Sequence, residues 1–203
     1  MEIGLLLSLT GFAWITCVTP GPNNVMLTSS GARFGFSRSV QHIVGISGGL
    51  VCMLAIMALG MGSMFQQWPV LQWLLKIGGS GYLFYLSWQI ANAGMPQPKG
   101  HSSEKQTQPW RFHQAVMFQF MNPKAWLMSL SSIGSFTLLG DAYWMSVCWV
   151  LGIFFVVCLK TSALWTLFGV KVGQWLKTPS AWTIWNRLMG VLTAACVILI
   201  WCE

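Results

Sequence analysis

The sequence predicts an all-α integral membrane protein: six transmembrane helices forming two inverted three-helix repeats, with discontinuous first and fourth spans. Three observations carry that expectation. Over 203 residues the hydrophobic content is 55% and the charged content 7%, with a mean hydropathy of +0.61, whereas soluble domains carry about 25% charged residues. Six apolar stretches of roughly the ~20-residue length of a membrane crossing follow one another. The first and fourth are each interrupted by a polar, proline-containing run, Thr19-Pro20-Gly21-Pro22-Asn23-Asn24 and Asn122-Pro123-Lys124-Ala125.

The first span covers about 3–32. Pro20 and Pro22 each lack an amide donor and crowd the preceding turn, so a helix cannot run through them. Irregular backbone at membrane depth is tolerated only inside protein or along a cavity, so the break marks a polar site. Glu2 stands where a secretory signal has basic residues, and no small-residue cleavage motif precedes the break, so the span is expected to be retained. Arg33 and Arg38 follow in a glycine-punctuated turn. The second span, 40–62, holds Gly45 and Gly49 four residues apart, a face that lets a neighbouring backbone come close. Pro69 opens the third, 69–91, which carries Lys76 and the tight-packing cluster Gly78-Gly79-Ser80-Gly81.

Residues 92–111 form the long polar stretch, with three prolines and mixed charge, and read as a flexible linker. The fourth span is 112–139 and the fifth 144–168. Pro179 leads into the sixth, expected from about 187 to 203. The chain is thus expected to be a single transmembrane transporter domain: repeat one 1–91, linker 92–111, repeat two 112–203. Three crossings per half bring the second half in from the opposite side, the inverted-repeat layout of secondary transporters.

Orientation follows from the cations, which are retained in the cytoplasm. With the amino terminus outside, Arg33, Arg38, Lys99, Lys105, Arg111, Lys171, Lys177 and Arg187 fall inside, and Glu2, Asp141 and Glu203 outside. Both termini are therefore expected in the periplasm. The basic residues are scattered singly between apolar spans, so the net charge of +7 speaks for membrane orientation and not for a nucleic-acid partner.

The candidate substrate-binding residues lie at the two breaks: Pro20, Gly21, Pro22, Asn23 and Asn24 at the first, Asn122, Pro123 and Lys124 at the second. A half-helix starting at Pro22 aims amides and the positive end of its dipole at an anionic group. Lys124 has two readings. A helix running from Phe112 puts it about 18 Å deep, where a lysine costs about 2.5 to 3.5 kcal/mol and needs a partner or a purpose. A helix starting at Pro123 makes it an inside-flanking cation. Lys76 and Lys160 lie near span ends and can snorkel, and His42 and His113 are expected near the inner interface. The six cysteines, 17, 52, 148, 158, 196 and 202, read as small buried hydrophobes.

Several chemistries are not written here. No Asp or Glu lies within a span, no Gly-rich phosphate loop with its lysine is present, and no Cys-x-x-Cys or Cys/His grouping has metal-site spacing. No cofactor, metal or catalytic residue is expected, and the chain does not read as an enzyme.

On TPGPNN at 19–24, GFSRS, GISGG, LLKIGGSGYLFYLSW at 74–88 and MNPKA at 121–125, the sequence resembles the LysE/RhtB family of bacterial amino-acid exporters over nearly its whole length. It departs from the family's common form in having Gly79-Ser80-Gly81, in place of alanines, before Tyr82. The resemblance implies a small inner-membrane carrier exporting amino acids on an ion gradient. The doubled Asn23-Asn24 looks like the branch that exports small neutral compounds such as cysteine, O-acetylserine, homoserine or threonine. The partners expected are such a substrate and the lipid bilayer, with a homodimer as an allowed assembly. Two rivals remain. A membrane thiol carrier needs a cysteine from each half meeting at the centre, and the fourth span has none. A passive channel would place two like half-helix tips end to end, whereas the order here is Pro-Asn at one break and Asn-Pro at the other.

Overall fold

The computed structural model describes residues 2–19, 21–61, 68–95 and 108–202. Pro20, Lys99, Lys105 and Glu203 lie outside the described residues, as does most of the linker. Eight α-helices, and no strand, make up the described residues: α1 Ile3–Val18, α2 Pro22–Phe34, α3 Phe36–Ile56, α4 Pro69–Ala91, α5 Phe112–Phe120, α6 Pro123–Phe136, α7 Tyr143–Trp175 and α8 Pro179–Cys202. A π turn, Met57–Met61, follows α3, and a 3₁₀ turn, Gly140–Ala142, precedes α7.

Proline sets most of the starts. Pro22, Pro69, Pro123 and Pro179 each stand at the first position of a helix, where the missing N–H has no intrahelical partner to lose. For Pro179 this corrects the expected border. The last helix begins about two turns before Arg187, which lies on its exposed side. Arg33 and Arg38 likewise lie within helices, on either side of Gly35, whose φ of 80° lets the chain turn from α2 into α3. The fifth helix is longer than expected, at 33 residues, or about 50 Å at 1.5 Å per residue, so it exceeds the ~30 Å hydrocarbon core. Lys160, 17 residues along it, is exposed and lies about 26 Å from its start, still within snorkelling reach of a membrane face.

Among the described residues, two helices are long and apolar enough to cross a membrane alone, Phe36–Gly60 and Gly140–Trp175. The pair α1 and α2, bent by 60° at the break, makes a third if taken as one span. The helices α4 and α8 are 23 and 24 residues long.

The core lies where α1, α2, α3, α6 and α7 meet, around Leu9, Ala13, Leu27, Ile46, Leu50, Val150 and Phe154. The short α5 lies on α3 through the two glycines singled out above. A Cβ on Gly45 would overlap the Phe112 carbonyl, and one on Gly49 the side chain of Gln119. The pair α4 and α8 packs to one side, and Arg33 reaches across to donate to the Ala93 and Gly94 carbonyls at 2.8 and 3.1 Å. Within the glycine cluster of α4, only Gly79 is pressed, against the ring of Pro123 at the second break. An alanine at Gly79 would collide with that ring.

His42 is 1% exposed and stacked on Trp110 with ring centroids 5.6 Å apart. Residue 110 of the linker is thereby packed into the protein. One expectation is corrected, that every cysteine is buried. Cys158 is buried and Cys17 half-buried, while Cys52 and Cys148 are exposed on the single chain.

Candidate substrate site at the facing helix breaks

The first break strips hydrogen-bond partners from the last turn of α1. In an unbroken helix the carbonyl of Val18 would receive the N–H of residue 22, which is proline and has none. Three side chains from three other helices take over. The Val18 carbonyl accepts from the Trp165 indole N–H at 3.2 Å. Asn24 Nδ2 donates to the carbonyls of Cys17 and Thr19, both at 2.9 Å. Lys124 Nζ donates to the Thr19 carbonyl at 3.1 Å. The cation thus sits at the negative end of the α1 dipole, a favourable place for it.

The second break is mended in a parallel way. Asn122 caps α6 through its side-chain oxygen, which accepts from the Lys124 amide at 3.2 Å. The Phe120 carbonyl accepts from the Trp126 indole at 2.8 Å. So both breaks occur where expected, each has a tryptophan N–H on a carbonyl that the break leaves without its usual helical amide, and they face one another through Lys124. The helix α6 begins at Pro123, the border of the second reading, and the Lys124 side chain turns to the other break. The contact is close. A Cβ on Gly21 would stand 3.3 Å from Lys124 Nζ, so glycine there keeps the ammonium near the chain.

Between the breaks lies a cavity of about 30 Å³, room for about two waters. Gly21, Pro22, Asn23, Asn24, Asn122 and Lys124 line it. Pro123 turns away to pack on Gly79, and Pro20 is outside the described residues. No Asp or Glu is among the lining residues.

The orientation of Asn23 can be deduced from its neighbours. Gln119 Nε2 donates to the Ile46 carbonyl at 2.9 Å. A carbonyl can only accept, so Gln119 presents its oxygen to Asn23, whose Nδ2 donates to it at 3.0 Å. Asn23 Oδ1 is left buried with no protein partner, an acceptor held at the cavity by a relay of two amides. The first-turn amides of α2, on Asn23 and Asn24, have no intrahelical partner by helix geometry. The site therefore offers a cation and helix-start amides for an anion, and one oriented acceptor for a donor.

Sequence reasoning missed Gln119, Trp165, Thr161, Ser162 and Cys158, of which all but Trp165 line the cavity. Gln119 had a signal, being an uncharged polar residue in an apolar span three positions before Asn122. Cys158 matters for the thiol rival. It lines the same cavity as Cys17, so a cysteine from each half does meet there, from the fifth span instead of the fourth.

An all-helical membrane chain whose two interrupted helices meet around a small polar cavity belongs to the class of transport proteins. This chain is a member of the LysE family: the LysE type translocator model matches residues 14–201. It is similar to the cysteine/O-acetylserine efflux protein of Escherichia coli O1:K1 / APEC, with 29% identity over 149 residues, 73% of this chain and 72% of that one. The protein of that name from Escherichia coli O157:H7 is 28% identical over the same shares. An uncharacterized membrane protein of Vibrio cholerae serotype O1 is 25% identical over 201 residues, 98% of each chain. No solved structure matches. Family membership makes this an amino-acid efflux transporter of a membrane.

Proposed function

We propose that the chain is a secondary active exporter of small neutral amino acids or their derivatives, of the cysteine or O-acetylserine type, across the bacterial inner membrane. It would work with six crossings as two inverted repeats joined by the 92–111 linker, and with both termini in the periplasm. The observation that carries this is the facing of the two breaks: Lys124 of one bonded to the Thr19 carbonyl of the other. The substrate carboxylate competes with that carbonyl for the ammonium and takes the amides at the start of α2. Its ammonium goes to Asn23 Oδ1. With no carboxylate lining the cavity, a second positive charge on the substrate finds no counter-ion. A cavity of about 30 Å³ cannot hold an amino acid, so loading requires the breaks to part. Drawing Lys124 away from Thr19 loosens the end of α1, which links binding to that motion. The similarity to cysteine/O-acetylserine efflux proteins supports the substrate class.

The test is Pro22→Ala, which restores a donor for the Val18 carbonyl and lets α1 and α2 join. Export is expected to fall to background while the chain still inserts, and undiminished export would make the break a mere kink.

The meeting of Cys17 and Cys158 favours one second reading, a membrane thiol carrier. Replacing both with serine separates the two. An exporter is expected to keep export within about threefold, since neither thiol serves the proposed contacts. A thiol carrier would lose all activity.

A further inference from the structure

The structure holds a second and larger polar chamber. Its volume is about 120 Å³ and its walls include Ser29, Arg33, His42, Gln89, Trp110 and Asn186. It continues the central cavity along the same helix faces. On α2 the central cavity takes Asn23 and the chamber takes Met26, Ser30 and Arg33; on α3 the cavity takes Leu50 and Ile46 and the chamber His42. These residues recur at three- and four-residue steps, so each helix presents one unbroken stripe to both spaces. Met26 and Leu86 of the chamber wall pack with Phe118 into an apolar plug, flanked by Trp110. Gln119, which orients Asn23 of the central site, is the next residue after the plug's Phe118.

Three buried polar atoms in this chamber have no protein partner: Nδ1 and Nε2 of His42 and Oγ of Ser29. His42 is 1% exposed and clamped against Trp110, so it cannot swing out to find water. A buried imidazole left with neither nitrogen bonded loses its hydration without compensation. Among the described residues Arg33 is the charged one in the wall, and no Asp or Glu of them lines the chamber. Arg33 and Asn186 both bond the Gly94 carbonyl, at 3.1 and 2.9 Å, which fixes the far wall. The chamber thus offers a cation at one side, an imidazole with one donor and one acceptor nitrogen, and a hydroxyl that can do either. That set complements a zwitterion.

We infer that this chamber, walled by His42, Ser29 and Arg33 beside the Met26–Phe118 plug, is a separate docking site for a neutral amino acid, occupied before the central site is loaded. The inference rests on the exporter reading for its substrate class. The carboxylate lies toward Arg33, the ammonium toward the unprotonated His42 nitrogen and Ser29 Oγ. By the disposition of cations Arg33 marks the cytoplasmic end, so an exported molecule meets this chamber first.

The test uses the full chain in membranes carrying Ser29→Cys, treated with a small maleimide, with alkylation of that position read by peptide mass. O-acetylserine at about ten times its Kd is expected to slow this alkylation about tenfold, by simple occupancy. The slowing should persist when Lys124→Met is added, because the central site is then disabled and the chamber is not. It should fall below about twofold with His42→Leu, and return with His42→Gln, which keeps a donor and an acceptor. If Ser29→Cys does not assemble, saturable quenching of tryptophan fluorescence by O-acetylserine in Lys124→Met, lost on adding Trp110→Phe, is the equivalent readout. Protection or quenching abolished by Lys124→Met would mean a single site and overturn the inference. So would protection indifferent to His42→Leu. Failure of the exporter reading would look different, as an unmodified chain that moves no amino acid whatever the chamber binds.

Discussion

Lys124→Met is expected to cut export of neutral amino acids by about a hundredfold or more, while the protein still reaches the membrane. Methionine keeps the length and apolar stem of lysine but removes its charge. Losing one partner of a buried, hydrogen-bonded charge pair typically costs 2–5 kcal/mol, and about 3 kcal/mol is already a hundredfold in affinity. In the resting protein the same ammonium holds the Thr19 carbonyl, which Asn24 also serves. The carbonyl therefore keeps one donor in the variant, and the loss falls on substrate binding and on its coupling to the break. Radiolabelled efflux normalised to the amount of protein in the membrane checks this. Export within about threefold of the unmodified chain would remove Lys124 from the site.

Asn24→Leu is expected to have the largest effect on stability. Its amide group bridges the Cys17 and Thr19 carbonyls at the end of α1, and the residue is 6% exposed. Thr19 retains Lys124, but Cys17 loses the side-chain donor that ties it across the break. A buried carbonyl left unserved costs about 1–3 kcal/mol, and the lost bonds add to it. At about 2–4 °C per kcal/mol for a chain of this size, the thermal midpoint in detergent should fall by roughly 5–10 °C. Asn23→Leu makes the contrast. It loses one bond to Gln119 and the acceptor at the cavity, so it should lower transport far more than stability. Equal shifts for both variants would contradict the division of labour between the two asparagines.

That division could not be read from the sequence, although the breaks could. Proline announces the missing amide locally, so the interruptions after Val18 and after Phe120 follow from Pro22 and Pro123 alone. What the freed carbonyls find is a matter of tertiary packing. Asn23 meets Gln119 across 96 positions, Lys124 meets Thr19 across 105, and Trp165 meets Val18 across 147. Nothing in a window of ten or twenty residues indicates such pairings. Trp165 and Trp126 in particular each place their indole N–H on a carbonyl that a helix break has freed, those of Val18 and Phe120. The burial of His42 was not legible for a related reason: the helical stripe it shares with Ile46 and Leu50 turns inward. The glycine faces were legible in α3 because their four-residue spacing is itself the signal. In α4 the spacing could not say which of Gly78, Gly79 and Gly81 meets a neighbour, and only Gly79 does.

The central claim is that the facing breaks carry a neutral zwitterion by a gated, gradient-driven route. The most direct measurement is efflux of labelled O-acetylserine and labelled arginine from proteoliposomes of the purified protein, across a range of internal concentrations, with and without an imposed ion gradient. The account expects O-acetylserine efflux that saturates and is accelerated by the gradient, with arginine efflux near that of protein-free vesicles. Flux rising linearly with concentration and indifferent to the gradient, or arginine moving as fast as O-acetylserine, would contradict it.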